Sequence, residues 1–215
     1  MDSKNQIIAV ITGDVINSTR LAPETIHEFF EKIRQTLDFF DHARNKVMLG
    51  RMSIFSGDSW QFAVNEPKYV FRLLSTVTAV AKLDQISIRL SAGVGSFDYI
   101  NPSNITESAG EAFIISGRGL QKMEKAVYKK RYWHIDGDAI SIYQAILFDI
   151  MGKKAETWTA AQAEAILLSL QGDNDKKISS SLGIMRQNVG KRLTAAQWNL
   201  FQSIMEVAES EKNPK

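Results

Sequence analysis

Ile7-Ile8-Ala9-Val10-Ile11-Thr12-Gly13-Asp14 decides how the rest of the chain is read. A short β-branched run of this kind is a buried strand, and Gly13-Asp14 interrupts it. After Pro23, the residues Ile26, Phe29, Phe30, Ile33, Leu37 and Phe40 recur at helical spacing, with proline tolerated in the first turn. Val47 to Phe55 and Ser59 to Val64 flank Ser56-Gly57-Asp58, which reads as two strands joined by a tight hairpin. Pro67 opens a second helix carrying Val70, Leu73, Leu74, Val77 and Val80 along one face. Ile86 to Ala92 alternates with period two, a half-buried strand. A loop around Asn101 to Asn104 precedes a helix from about Glu111 to Val127, and Tyr132 to Ile135 is a short strand stopped by Asp136-Gly137-Asp138. The order β-α-β-β-α-β-α-β predicts an α/β (α+β) domain of ferredoxin-like type.

From Ala139 onward the pattern is helical only. Ile140, Tyr143, Ile146, Leu147 and Ile150 are expected to face one way, with Gly152-Lys153-Lys154 ending or kinking that helix. Helices over Ala160 to Leu170, Lys176 to Leu182 and Arg186 to Val207 follow, separated by turns at Gly172-Asp173-Asn174 and Gly183. The change of pattern predicts two domains, 1–155 and 156–215, the second all-α.

Composition sets outer limits. The 215 residues are 44% hydrophobic and 23% charged, which is globular and excludes a disordered chain. Cysteine is absent, which excludes a disulfide scaffold, a thiolate zinc site and a cysteine nucleophile, and points to a reducing compartment. No window approaches the roughly 20 apolar residues of a membrane span, so the expectation is a cytoplasmic protein with no membrane partner. A net charge of +2 is too dilute to announce a nucleic-acid binder.

The C-terminal spacing says more. Ile178 and Leu182 share a face of one helix, Gly183 suits a turn, Ile184 plugs the corner, and Val189 and Leu193 share a face of the next. Arg186, Gln187, Asn188, Lys191 and Arg192 are left outward. Arg, Gln and Asn make bidentate contacts to base edges, while Lys191 and Arg192 suit phosphates. Asp175 is expected to cap the first of these helices. The pattern from Lys177 to Leu193 resembles the helix-turn-helix of bacterial transcriptional regulators, which implies DNA as partner. A trihelical module for protein contact alone is the other reading.

At the N-terminal end, Asp14 follows the first strand and Asp58 sits on the hairpin, so a ferredoxin-type sheet lets the two converge. Paired carboxylates suit Mg²⁺ or Mn²⁺ on a phosphate ligand, and backbone N–H groups at Asn17, Ser18 and Thr19 suit the phosphates themselves. Helix capping and turn formation explain the same residues without a ligand.

Asp14-Val15-Ile16-Asn17-Ser18-Thr19, Gly57-Asp58-Ser59-Trp60-Gln61-Phe62 and the strand Ile88-Arg89-Leu90-Ser91-Ala92-Gly93 resemble segments of the class III nucleotide cyclase domain. The resemblance implies Asp14 and Asp58 as metal ligands and Arg118 as the residue facing developing phosphate charge. It also places Ile54 where cyclases carry a base-reading lysine and Ile114 where they carry a ribose-orienting asparagine. Isoleucine makes no hydrogen bond, so a degenerate domain without cyclase activity is expected. The cyclase fold commonly pairs head to tail, which implies a homodimer.

Val10 to Arg20, Gly57-Asp58-Ser59-Trp60-Gln61, Gly110-Glu111-Ala112-Phe113 with Ser116-Gly117-Arg118, and the C-terminal helices together resemble the bacterial SatD family over nearly the full length. The combined expectation is a DNA-binding transcriptional regulator whose cyclase-like domain senses a ligand, such as a nucleotide, or a partner. A divalent-metal-dependent nucleotide-binding enzyme and a protein-interaction module are the alternatives. His27, His42 and His134 lack metal-ligand spacing and are assigned to packing or the surface. Asp136-Gly137-Asp138 is assigned to a turn, and the basic run Lys122, Lys125, Lys129, Lys130 and Arg131 to a solvated helix end.

Overall fold

A computed structural model describes residues 6–44, 46–125 and 131–210. The strands are β1 (Ile8–Val15), β2 (Ser53–Phe55), β3 (Ser59–Val64), β4 (Ile88–Gly95) and β5 (Trp133–Asp136). Between them run α1 (Pro23–Ala43), α2 (Val70–Leu83) and α3 (Glu111–Glu124). The sheet order is β2-β3-β1-β4-β5, with β1 antiparallel to both neighbours and β5 added parallel to β4. Its first four strands have the ferredoxin-like order, so the α/β class read from the sequence is the one observed.

The central position of β1 explains its composition, because both of its faces are covered. Ala9, Ile11 and Val15 join Phe29 and Ile33 of α1 and Leu73, Leu74 and Val77 of α2 in the main core. Ile8 and Val10 point the other way, against Ala112 and Phe113 of α3. Only three residues of the predicted strand from Val47 to Phe55 are in β2; Met48 contributes an isolated bridge to Val64. The Leu49 N–H still donates to the Ala63 carbonyl at 2.9 Å, and between this pairing and β2 Gly50 lies against Pro102, whose carbonyl oxygen is 2.7 Å from where a Cβ would sit.

Five helices follow: α4 (Ile142–Glu156), α5 (Ala160–Leu170), α6 (Asp175–Leu182), α7 (Arg186–Ala195) and α8 (Trp198–Ser210). Reciprocal capping boxes begin α4 and α5, Ser141 with Gln144 and Thr159 with Gln162. Four sequence expectations are corrected here. Gly152 does not end or kink α4, which runs to Glu156; the glycine lets the helix approach Trp133, whose Cβ lies 2.7 Å from a Cβ built at 152. The buried face of α4 is Phe148, Met151, Gly152 and Ala155, and the face bearing Tyr143, Ile146 and Ile150 is exposed. The single helix predicted from Arg186 to Val207 is two, broken where Gln197 takes φ 56° and the Ala196 carbonyl accepts from Trp158 Nε1 at 3.1 Å. Asn174, not Asp175, caps α6, its side chain accepting from the Lys177 N–H.

One apolar core crosses residue 156 without a break. Phe71 of α2 meets Trp133 and Phe148 edge-on, and Phe201 of α8 packs on Phe71, Trp133, Trp158 and Trp198. Glu209 of α8 adds ion pairs to Arg72 of α2 and Arg44 beyond α1. Val127, Lys129 and Lys130, placed by the sequence reading in the helix and basic run before β5, lie outside the described residues. No helix of the described residues is long and apolar enough to cross a membrane.

Candidate functional site

The sheet brings Asp14 and Asp58 to one end, as the hairpin predicts. Asp14 is opposite Ser59 in the β1–β3 register, and the Val15 N–H donates to the Asp58 carbonyl at 3.1 Å. Both carboxylates already have partners. Asp14 faces Arg89 of β4 across the ladder; Nε donates to Oδ1 at 2.9 Å and the second guanidinium arm reaches Oδ2. Asp58 accepts from Ser18 Oγ at 2.6 Å and from Ser59 Oγ at 3.2 Å. Burial pushes the Asp14 carboxyl above its ordinary value, the Arg89 hydrogen bonds and charge oppose this, and the Asp58 charge adds to the rise.

These residues do not fit a bound Mg²⁺ or Mn²⁺ as arranged. Such ions need several free oxygens around them, yet both oxygens of buried Asp14 face a guanidinium, and a cation there would meet a positive charge. Among the described residues, no group of three or more His, Asp or Glu could hold a metal ion. The residues proposed for phosphate lie beside this pair, in the turn that follows the first strand. Asn17 is in the left-handed region and leads into a single 3-10 turn over Ser18–Arg20, while the Ser18 hydroxyl is spent on Asp58. Gly13 serves packing: a Cβ there would lie 2.4 Å from the Trp60 ring. Arg118 is exposed on α3, and Ile114 on the same helix is exposed as well.

Beside this pair, a cleft of about 540 Å³ opens between the β2–β3 hairpin and α3. Phe55, Asp58 and Gln61 line it from the hairpin side, and Leu120, Gln121 and Glu124 from α3. Its floor is a polar relay in which Gln61 Nε2 donates to Thr12 Oγ1 at 2.8 Å, and Thr12 shares a hydrogen with Ser116 at 2.9 Å. Two carboxylates line the cleft and, among its described lining residues, no Lys or Arg. Neither the pairing of Arg89 with Asp14 nor the cleft is among the expectations from sequence. The signals were available: Arg89 is the lone cation in an alternating strand, and Gln61 a lone amide in an apolar one.

In the C-terminal helices, α6 and α7 are joined through Gly183, left-handed at φ 63°, and Ile184 and Met185. Ile178, Val189 and Ala165 of α5 form a small buried core ringed by Leu182, Ile184 and Leu193. Arg186, Gln187 and Lys191 are exposed along α7, and Asn188 is half-buried. Arg192 differs from expectation: its guanidinium donates to the Ala161 carbonyl at 3.1 Å and to Glu164 at 3.0 Å, tying α7 to α5.

No protein-family model matches the chain, and no curated protein sequence does. Among solved structures, the chain is distantly similar to two cyclases. A bacterial light-regulated adenylyl cyclase is 9% identical over 60% of this chain and 74% of the other, at a TM-score of 0.39. The guanylyl cyclase Cya2 is 13% identical over 54% of this chain and 70% of the other, at a TM-score of 0.35. The site rests on its own geometry.

Proposed function

We propose that this chain is a DNA-binding transcriptional regulator in which α7 enters the major groove and the α/β domain senses a small ligand or partner. One observation carries this reading. Val189 is fully buried against Ile178 and Ala165, and this anchoring turns Arg186, Gln187 and Lys191 outward from the start of α7. α7 contains Arg186, Lys191 and Arg192 and no carboxylate. Its N-cap, Met185, offers no side-chain acceptor, so the first amide groups of the helix stay available to a phosphate oxygen. Arg186 and Gln187 are suited to base edges, Lys191 to the backbone, and Arg192 to holding the helix in place. The resemblance to helix-turn-helix regulators and to the SatD family supports the same reading.

The cleft beside Asp58 is the candidate sensing site, since its volume is in the range of small-molecule sites. The metal-dependent enzyme alternative is disfavoured by the Arg89–Asp14 pairing. Fluorescence anisotropy with a labelled duplex over a series of salt concentrations tests the regulator reading. Binding should weaken with salt, and Arg186→Ala with Lys191→Ala should lower the log–log slope by roughly 1, for the Lys191 cation that no longer neutralises a phosphate, while loss of Arg186 weakens binding through the base edges. Absence of duplex binding at low salt, or a slope unchanged by the double substitution, would overturn it.

A further inference from the structure

Helix α4 is built against the pattern of a surface helix. Its exposed side carries Ile142 at 67%, Tyr143 at 81%, Ile146 at 50%, Leu147 at 36% and Ile150 at 56% exposure. Phe148, Met151 and Ala155 on the other side already fill the groove against β5 and α2. The helix is therefore apolar on both sides, and its outer side faces water. Large contiguous apolar patches on a soluble surface mark association sites.

The ends of the element say what covers it. Asp138 is exposed just before the N-terminus of α4, and Lys153 and Lys154 lie at its C-terminus. Lys153 is tied to Asp149 at 2.9 Å, whereas Lys154 has no ion-pair partner among the described residues. Asp138 and Lys154 are equally far along the chain from Ile146, eight residues on either side. Ile142 and Ile150 are likewise symmetric about it, four residues on either side.

We propose that a second copy of this chain docks on α4, the two helices crossing antiparallel at Ile146 to form a two-fold dimer. A two-fold contact needs a patch complementary to itself, and this one is. Ile142 meets the partner's Ile150, Ile146 meets the partner's Ile146, and Asp138 meets the partner's Lys154. Antiparallel packing also sets each helix dipole against the opposite end of the other. A parallel arrangement would put acid on acid and lysine on lysine. The contact does not depend on DNA binding or on the cleft.

The cysteine-free chain gives a clean test. Sedimentation of the full chain over a range of concentrations should show a shift from 24.1 kDa to twice that mass, and Ile146→Lys should hold the chain at the lower mass. Under mild oxidation Ile146→Cys should cross-link to a covalent dimer, because residues at a close two-fold crossing come within disulfide reach. Ile114→Cys, equally exposed on α3, should not. A wild-type chain that stays monomeric throughout, or a dimer indifferent to Ile146→Lys and uncross-linked through Ile146→Cys, would overturn the proposal. If Ile146→Lys melts early, cross-linking through Ile146→Cys decides between the outcomes.

Discussion

Arg89 grips Asp14 by both carboxylate oxygens from the neighbouring strand, at the place where paired aspartates would otherwise be open to a cation. The acid is almost fully buried and the arginine mostly so, which makes this a desolvated pair. Removing one partner of such a pair leaves a lone charge in a poor solvent, at a cost of about 3 kcal/mol. Arg89→Ala should lose that much in urea denaturation, and Arg89→Lys should recover only part, because an ammonium lacks the two-pronged geometry. Added Mg²⁺ should leave the wild-type melting temperature unchanged.

Gly13 owes its place to Trp60. A methyl group there would press into the indole at 2.4 Å and into Leu90 at 2.8 Å. Gly13→Ala should therefore destabilise by about 1–3 kcal/mol, the usual range for overpacking. In a Trp60→Phe background the same substitution should cost less, and a double-mutant cycle between the two positions reads that coupling directly.

Local pattern is enough to place the sheet and most helices. The alternation from Ile86 to Ala92 and the helical spacing from Ile26 to Phe40 describe interactions that neighbouring residues make with one core. What local pattern does not encode is the partner across the sheet. Asp14 and Arg89 are 75 positions apart, so two aspartates near glycines read as a metal pair until the register supplies the arginine. The same limit explains α4. Ile146 and Phe148 are equally apolar, and only the place of β5 and α2 decides which of them is buried. The break at Gln197 is invisible in the sequence because helical spacing resumes directly after it.

The aromatic seam predicts how the chain unfolds. Phe201 is fully buried and touches Phe71 and Trp133 on one side and Trp158 and Trp198 on the other. With one core joining the sheet to the C-terminal helices, calorimetry should show a single cooperative transition. Phe201→Ala should lower it as a whole, by about 3–5 kcal/mol in stability. Separate transitions for the two halves would contradict this coupling.

His134 supplies a pH dependence. Its ring is largely buried between β4 and α3, with Gly119 so close that a Cβ there would lie 2.5 Å from the imidazole. Burial lowers its pKa below the ordinary value of 6.5; nearby Lys122 and Arg131 push the same way, and Asp136 and Asp149 oppose. The folded state therefore binds the proton less readily than the unfolded chain does. The neutral ring's contribution is complete above the unfolded pKa, and it shrinks as pH falls from about 6.5 through the folded value. Melting temperature should decline over that interval in the wild type. In His134→Gln the decline should be shallower, and parallel curves for the two proteins would show that protonation of this ring does not reach the fold.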